Sequence, residues 1–457
     1  MKRIALIGLE NSGKSVFLTS FYKNLEDKIQ KGSELGGKKE YERVVRLDED
    51  KIPLISLFTK RGKPVPFDVN ENMESLKRNR WADKTLKPQY VSFELFKKTG
   101  NISGKIPLVN TSLSWCKSRK YTIYDFPGER LRDTLIYKFS DYVSWSKYMF
   151  DEIFSGKAYS GYRELSGAYV ELFRDGNVGK ERILSEYKKL LYNTYLNGRG
   201  GIISPSSFLL STDGKRKTGK MGNLDGVGTV CGLDEKAEFA PIPPDFMTVN
   251  RNLFLEFFSN YVEYRERFVL PTFSIIESVD EMVVLVDITN VYCGGYPKFK
   301  ATTEMLENIS LACESSFLNP WRVKKVLFIA TQTDRIPEAT RDNVLPLLKS
   351  LTTSFENKLS RYNPLKIEYR TCSACNSTFP ADNNNLNNVK GYRMVDGKPK
   401  ACQYEGGFKL PYYWPRNESS DWGKDLPTFL PYVVDGKPPR FFEFDNIAKD
   451  ILFNIKQ

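Results

Sequence analysis

Residues 2–29, KRIALIGLENSGKSVFLTSFYKNLEDKI, decide how the rest of the chain is read. RIALIGL (3–9) is an apolar run of strand length, and KSVFLTSFYKNLEDKI (14–29) carries a helix-like pattern. Between them GLENSGKS, Gly8–Ser15, fits the spacing GxxxxGK[ST]. The physical reason for that spacing is that glycines let the backbone wrap a phosphate chain with successive N–H groups pointing inward. The residues expected to face phosphate are Gly8, Asn11, Ser12, Gly13, Lys14, Ser15 and Val16. Lys14 would reach the β/γ-phosphates and the Ser15 hydroxyl would ligate Mg²⁺.

Four more apolar runs read as strands: YTIYDF (121–126), MVVLVDI (282–288), VKKVLFIAT (323–331) and LKIEYRT (365–371). Helix-compatible segments lie between several of them, which predicts an α/β fold with a mostly parallel sheet. The closing segment FFEFDNIAKDILFNI (441–455) reads as an amphipathic helix. Residues 32–118 are loop-rich, with candidate strands at YVSFELFKK (90–98) and SLSWCKSRK (112–120). Residues 133–270 hold long helix-compatible runs, at 162–196 and 252–269, around a Gly/Ser/Pro-rich stretch at 198–245. The expected organisation is an α/β unit of 1–132 and 271–457 interrupted by a largely helical insertion at 133–270.

Three of the strands end in residues with chemistry to offer. DFPGE (125–129) places Asp125 at a strand's carboxyl end, where a phosphate-binding fold holds Mg²⁺, usually through water. Gly128 would present a bare N–H to a γ-phosphate, and Glu129 follows where an attacking water is oriented. TQTD (Thr331–Asp334) resembles the [NT]KxD guanine motif, with Gln332 in place of Lys. A carboxylate at Asp334 can accept from the donors of guanine, which adenine lacks; a plain N-capping Asp is the alternative. CSAC (372–375) reads as a loop whose Ser373 and Ala374 close over a guanine through backbone amides. A redox pair or half a zinc site is the alternative for its two cysteines.

Composition narrows the chemistry further. The 457 residues include no His, which excludes His-based triads and His-bearing zinc sites. The net charge is +12, thinly spread, with its densest cluster at KRKTGK (215–220); a solvated basic loop is expected there and no specific nucleic acid partner. Seven irregularly spaced Cys suit free thiols in a reducing cytoplasm. No apolar run reaches the length of a transmembrane helix, and the run after Lys2 and Arg3 stops at Glu10, too short for a secretory leader.

The motif order and strand context resemble a P-loop GTPase. GLENSGKSVFLTSFYKNL, YDFPGERLRD, IISPSSFLLSTDG…EFAPIP, VVLVDITN, LFIATQTDRI and the EGG…LP segment resemble the YcjX family of stress-associated bacterial GTP-binding proteins. The segment SPSSFLL…FAPIP (204–243) is the most discriminating part, since ordinary GTPases lack it. The resemblance implies an α/β GTPase unit with a helical insertion, GTP/GDP and Mg²⁺ as cofactors, and a stress-related role. It also implies a protein effector, with membrane-associated stress proteins among the candidates; the expected location is cytoplasmic, with attachment to the inner membrane as an option. Two positions depart from the family's usual residues: Gln332 for Lys and Arg130 for Trp. Two other functions are carried alongside: an ATP-dependent P-loop enzyme or kinase, and a non-hydrolysing, nucleotide-bound interaction module.

Overall fold

The apolar runs assemble side by side into one sheet. The computed structural model describes residues 1–8, 12–35, 41–47, 64–82, 88–97, 118–126, 128–157, 160–174, 176, 178–196, 204–205, 238–313, 323–359, 365–379, 387–404, 409–417, 420–423, 429–434 and 437–453. Strand β1 (Lys2–Gly8) is followed by helix α1 (Lys14–Gln30). Next come β2 (Tyr41–Arg46), the short β3 (Val65–Pro66), α2 (Val69–Lys77), β4 (Gln89–Lys97) and β5 (Ser118–Asp125). Helices α3 (Thr134–Lys138), α4 (Tyr142–Tyr148), α5 (Ser160–Glu171) and α6 (Lys180–Leu196) follow. After them come α7 (Pro244–Val249), α8 (Arg251–Tyr264) and α9 (Leu270–Ser278). Alternation then resumes with β6 (Glu281–Val286), α10 (Ile288–Cys293), α11 (Gly295–Cys313), β7 (Lys325–Ala330), α12 (Val344–Leu359) and β8 (Lys366–Thr371). A small antiparallel sheet of β9 (Thr378–Phe379), β10 (Val389–Val395) and β11 (Lys398–Tyr404) precedes helix α13 (Phe444–Phe453).

The main sheet has the order β2-β4-β5-β1-β6-β7-β8, with β3 beside β4. Strands β5, β1, β6, β7 and β8 run parallel, and β4 and β2 extend them antiparallel. The fold is therefore α/β, with a mostly parallel sheet flanked by helices, in keeping with a P-loop type fold. Side chains alternate across it. Ile4, Leu6, Val283, Leu285, Leu327 and Ile329 face Phe17, Phe21 and Leu25 of α1 and Ile447 and Ile451 of α13. Ala5, Ile7, Val284, Phe328 and their neighbours on the other face share a core with α9, α10, α11 and α12. Burial on both faces is why these strands read as continuous apolar runs rather than alternating ones.

Helices α4 to α9 share that second core, through Tyr142, Trp145, Tyr187, Phe257, Tyr261 and Tyr264. Rings of Tyr142, Trp145, Phe239 and Tyr261 lie with centroids 5.2–5.9 Å apart. The segment EFAPIP (238–243) runs among them with Pro at two positions and no helix or strand to satisfy its carbonyls. Side chains do so instead. Asn260 Nδ2 donates to Glu238 O at 2.9 Å, Tyr142 OH to Ala240 O at 2.6 Å, Tyr169 OH to Pro241 O at 2.7 Å and Ser146 Oγ to Ile242 O at 2.7 Å. Each such bond is worth about 1 kcal/mol net, but a carbonyl left bare inside would cost about 1–3 kcal/mol.

Several local expectations are corrected. The run 162–196 is not one helix: α5 stops at Glu171 and α6 starts at Lys180, with Gly176 between them in the left-handed region (φ 67°). The candidate strand 112–120 has only 118–120 within the described residues, and these are the start of β5 rather than a separate strand. The stretch 32–118 contains β2 and α2, neither expected; Asp68 caps α2 by accepting from the Asn70 and Glu71 N–H groups at 2.9 Å. The hairpin β10–β11 was also missed, although Asp396–Gly397 is a strong turn signal. The polar cluster KRKTGK and the segment 206–237 lie outside the described residues. No helix among the described residues is long and apolar enough to cross a membrane.

Candidate functional site

Between β1 and α1, the described residues Gly8, Ser12 and Gly13 are tightly held. Gly8 leaves no space for a side chain, since a Cβ there would lie 2.3 Å from Ser12 Oγ and 2.9 Å from Leu285 O. Gly13 precedes α1 at φ 82°, a conformation that glycine adopts without steric cost. Gly13, at the N-cap of α1, has no side chain to cap it, and the positive end of the helix dipole points toward Gly13 and Ser12. Lys14 Nζ reaches back across the loop to Gly8 O at 2.7 Å and is buried. Ser15 and Val16 are half-buried in the first turn of α1; Asn11 lies outside the described residues.

Asp125 ends β5, fully buried, in register with Leu6 of β1. It therefore sits at the same carboxyl edge of the sheet as the Gly8–Ser15 loop. Ser15 and Asp125 offer hard oxygen donors, and two protein oxygens are what Mg²⁺ takes when substrate phosphates complete its shell. Gly128 opens a 3-10 turn, Gly128–Asp133, and is buried. The side chain of Glu129 lies outside the described residues. Beyond the turn, Tyr264 OH of α8 donates to Asp133 Oδ2 at 2.8 Å. Tyr261 OH donates to Phe139 O at 2.8 Å and Arg265 Nε to Ile136 O at 3.2 Å, so α8 and the residue that follows it hold α3 and its end as well.

At the next strands along, the Thr331–Asp334 residues divide their tasks. Thr331 Oγ1 donates to Ser12 O at 2.8 Å, tying the end of β7 to the glycine loop. Gln332 is left-handed at φ 57°, and its Nε2 donates to Asp287 Oδ2 at 2.9 Å. Arg335 donates to Gln332 Oε1 and lies 3.8 Å from Asp287 Oδ2. Asp287 also caps α10 by accepting from the Asn290 N–H at 3.0 Å. A charged network thus stands where a lone lysine was the motif's usual occupant.

Asp334 holds the loop after β8. Oδ1 accepts from Ser373 Oγ at 2.8 Å; Oδ2 accepts from Ser377 N–H at 2.8 Å and Ser377 Oγ at 2.9 Å. Thr378 Oγ1 donates to the Asp334 carbonyl at 2.7 Å. Ser373 and Ala374 are buried, and Ser373 O accepts from Phe442 N–H at 2.8 Å. Burial, with the charge of Asp334 added, pushes the Cys372 thiol well up and that of Cys375 up to about 12. Thiols so protonated are poor nucleophiles, which disfavours redox chemistry at CSAC.

Asp287, Arg335, Ser377 and Thr378 had no role in the sequence reading. Asp287 carried a signal, an acid ending an apolar strand just as Asp125 does. Ser377 and Thr378 carried none, being ordinary loop residues by type.

A search among curated proteins finds no match to the chain. A model of the YcjX-like family, DUF463, matches residues 2–453. With the match running through nearly the whole length, the chain belongs to the YcjX-like family.

Proposed function

We propose that the chain binds a guanine nucleotide with Mg²⁺ and is a slow GTPase. The observation that carries this is a convergence at one edge of the sheet. The glycine loop with Lys14, Asp125, Thr331–Asp334 and the Ser373 loop all stand at carboxyl ends of neighbouring parallel strands, where open α/β sheets take their ligands. Lys14 and the α1 N-terminus meet the phosphates, and Ser15 and Asp125 hold Mg²⁺ through the metal's oxygen preference. Gly128 N–H meets the γ-phosphate. Asp334, with Thr331, Gln332, Ser373 and Ala374 around it, meets the base.

Hydrolysis without a partner is slow because Glu129 is a carboxylate where a neutral residue would orient water beside an anionic γ-phosphate. Residues 133–270, inserted in the α/β unit, read out the nucleotide state through the turn at Gly128–Asp133 and its Tyr264 contact. An unidentified protein effector and a stress-related role in the cytoplasm, with attachment to the inner membrane as an option, complete the reading, and the effector and the stress role rest on the family resemblance.

One observation favours a second candidate, an ATP-dependent enzyme in which Asp334 is structural. The Asp334 carboxylate already accepts from Ser373 and Ser377, so of its roughly four acceptor sites few remain for a base. Displacement of a labelled guanine nucleotide from the purified chain separates the two. GTP is expected to compete far better than ATP; equal competition would overturn guanine specificity while leaving the phosphate loop intact.

A further inference from the structure

A charged cavity lies at the edge of the sheet opposite the glycine loop. Its volume is about 470 Å³, and its lining includes Lys2, Arg119, Lys120 and Lys324, with Asp280 the one acidic residue among the described residues there. These come from the amino-terminal ends of β1, β5 and β7, so the cavity is about 20 Å from the glycine loop at ~3.3 Å per residue along β1. Leu452, at the end of α13, completes the floor.

Its charges do not cancel. Asp280 is engaged by Arg3, whose N–H donates to Oδ2 at 2.8 Å and whose Nε lies 3.5 Å away. Lys2 pairs with buried Glu281 at 2.9 Å and donates to Ile451 O. Glu94, opposite Lys120 in the β4–β5 register, accepts from the Ser118 hydroxyl. Arg119, Lys120 and Lys324 are exposed, and none forms an ion pair among the described residues. Three like charges in one concave surface repel each other, and a concave wall of one sign focuses the field on an incoming counter-charge.

We propose that this cavity binds a compact multivalent anion, the phosphate or pyrophosphate group of a soluble ester or of a lipid headgroup. Arg119 supplies a planar fork for two phosphate oxygens, and Lys120 and Lys324 act as point charges beside it. The site is independent of the glycine loop and of any nucleotide bound there.

The test uses the full chain carrying Lys14→Ala, which removes the loop's cation from competition. Inorganic pyrophosphate is titrated into it by calorimetry, and phosphatidylcholine vesicles carrying phosphatidic acid, whose headgroup is a phosphate monoester, are compared with phosphatidylcholine alone by co-sedimentation. Saturable pyrophosphate binding, weakened about tenfold by Arg119→Ala or Lys324→Ala and retained in Lys324→Arg, is expected for a soluble ester. Phosphatidic-acid-selective sedimentation with the same sensitivity, and no pyrophosphate binding, assigns the anion to a headgroup. Binding to neither probe, or binding unchanged in the Arg119→Ala and Lys324→Ala chains, overturns the proposal. Both substitutions fall on exposed side chains, so folding is checked by unchanged thermal unfolding.

Discussion

Tyr264 OH and Asp133 Oδ2 are 2.8 Å apart, and both residues are fully buried. Asp133 closes the turn that begins at Gly128, and the Tyr264 ring lies 5.6 Å from Phe239, which opens the carbonyl-anchored FAPIP segment. A displacement at Gly128 therefore has a short physical route into α8 and the segment beside it.

Tyr264→Phe keeps the ring and removes the donor to a carboxylate, a loss of about 1.5–3 kcal/mol. Chemical denaturation should show that loss. Hydrogen exchange should also show faster opening of 128–139, with α13 unaffected. Unchanged protection in 128–139 would show that the contact does not hold the turn.

Asp334→Asn should have two effects. The amide cannot accept from both Ser373 and Ser377, so stability should fall by about 1–3 kcal/mol. An amide donor at the base also suits the 2-oxo group of xanthine, so nucleotide preference should move from guanine toward xanthine. Calorimetric binding with both nucleotides checks the second effect separately from the first.

Lys14→Ala should remove most nucleotide affinity, and Ser15→Ala should remove the Mg²⁺ dependence of triphosphate binding. The Lys14 change also deletes the bond to Gly8 O. Thermal unfolding without nucleotide therefore has to be measured beside the titration. Parent-like binding of GTP·Mg²⁺ by either variant would rule out the phosphate cradle.

Glu304 on α11 has its carboxyl pushed up to about 7 by burial, reinforced by Glu307 and opposed by Lys300. The folded chain thus holds this proton over a range in which the unfolded chain, near 4.5, has released it. Stability from this group is complete below about pH 4.5 and declines as pH rises toward 7. Glu304→Gln should flatten that decline, leaving the variant more stable than the parent at pH 8 by at most about 3 kcal/mol. Urea unfolding at pH 5 and pH 8 gives the difference; equal slopes for both chains would show that Glu304 ionises normally.

Single-turnover hydrolysis should be no faster than the ~10⁻⁴–10⁻² s⁻¹ of switch GTPases without helpers. A rate above about 1 s⁻¹, set against that same scale, would mean that a residue other than a repelled Glu129 positions the water.

By itself the sequence determined what short-range pattern can carry: strands β1, β5, β6, β7 and β8, helices α1 and α13, and the glycine loop at Gly8–Ser15. Strands buried on both faces need long apolar runs, and a helix packed on a sheet needs an apolar stripe, so both leave local marks. The tertiary structure alone decided the bonds between residues far apart in sequence. Thr331 binds the Ser12 carbonyl, Asp334 holds Ser377, Asp287 meets Gln332, and Tyr264 finds Asp133. Arg119 and Lys324 come to line one cavity only because β5, β1, β6 and β7 pair in that order. Such contacts are set by register and crossover, and a polar side chain has the same local appearance whether it faces water or a partner two hundred residues away.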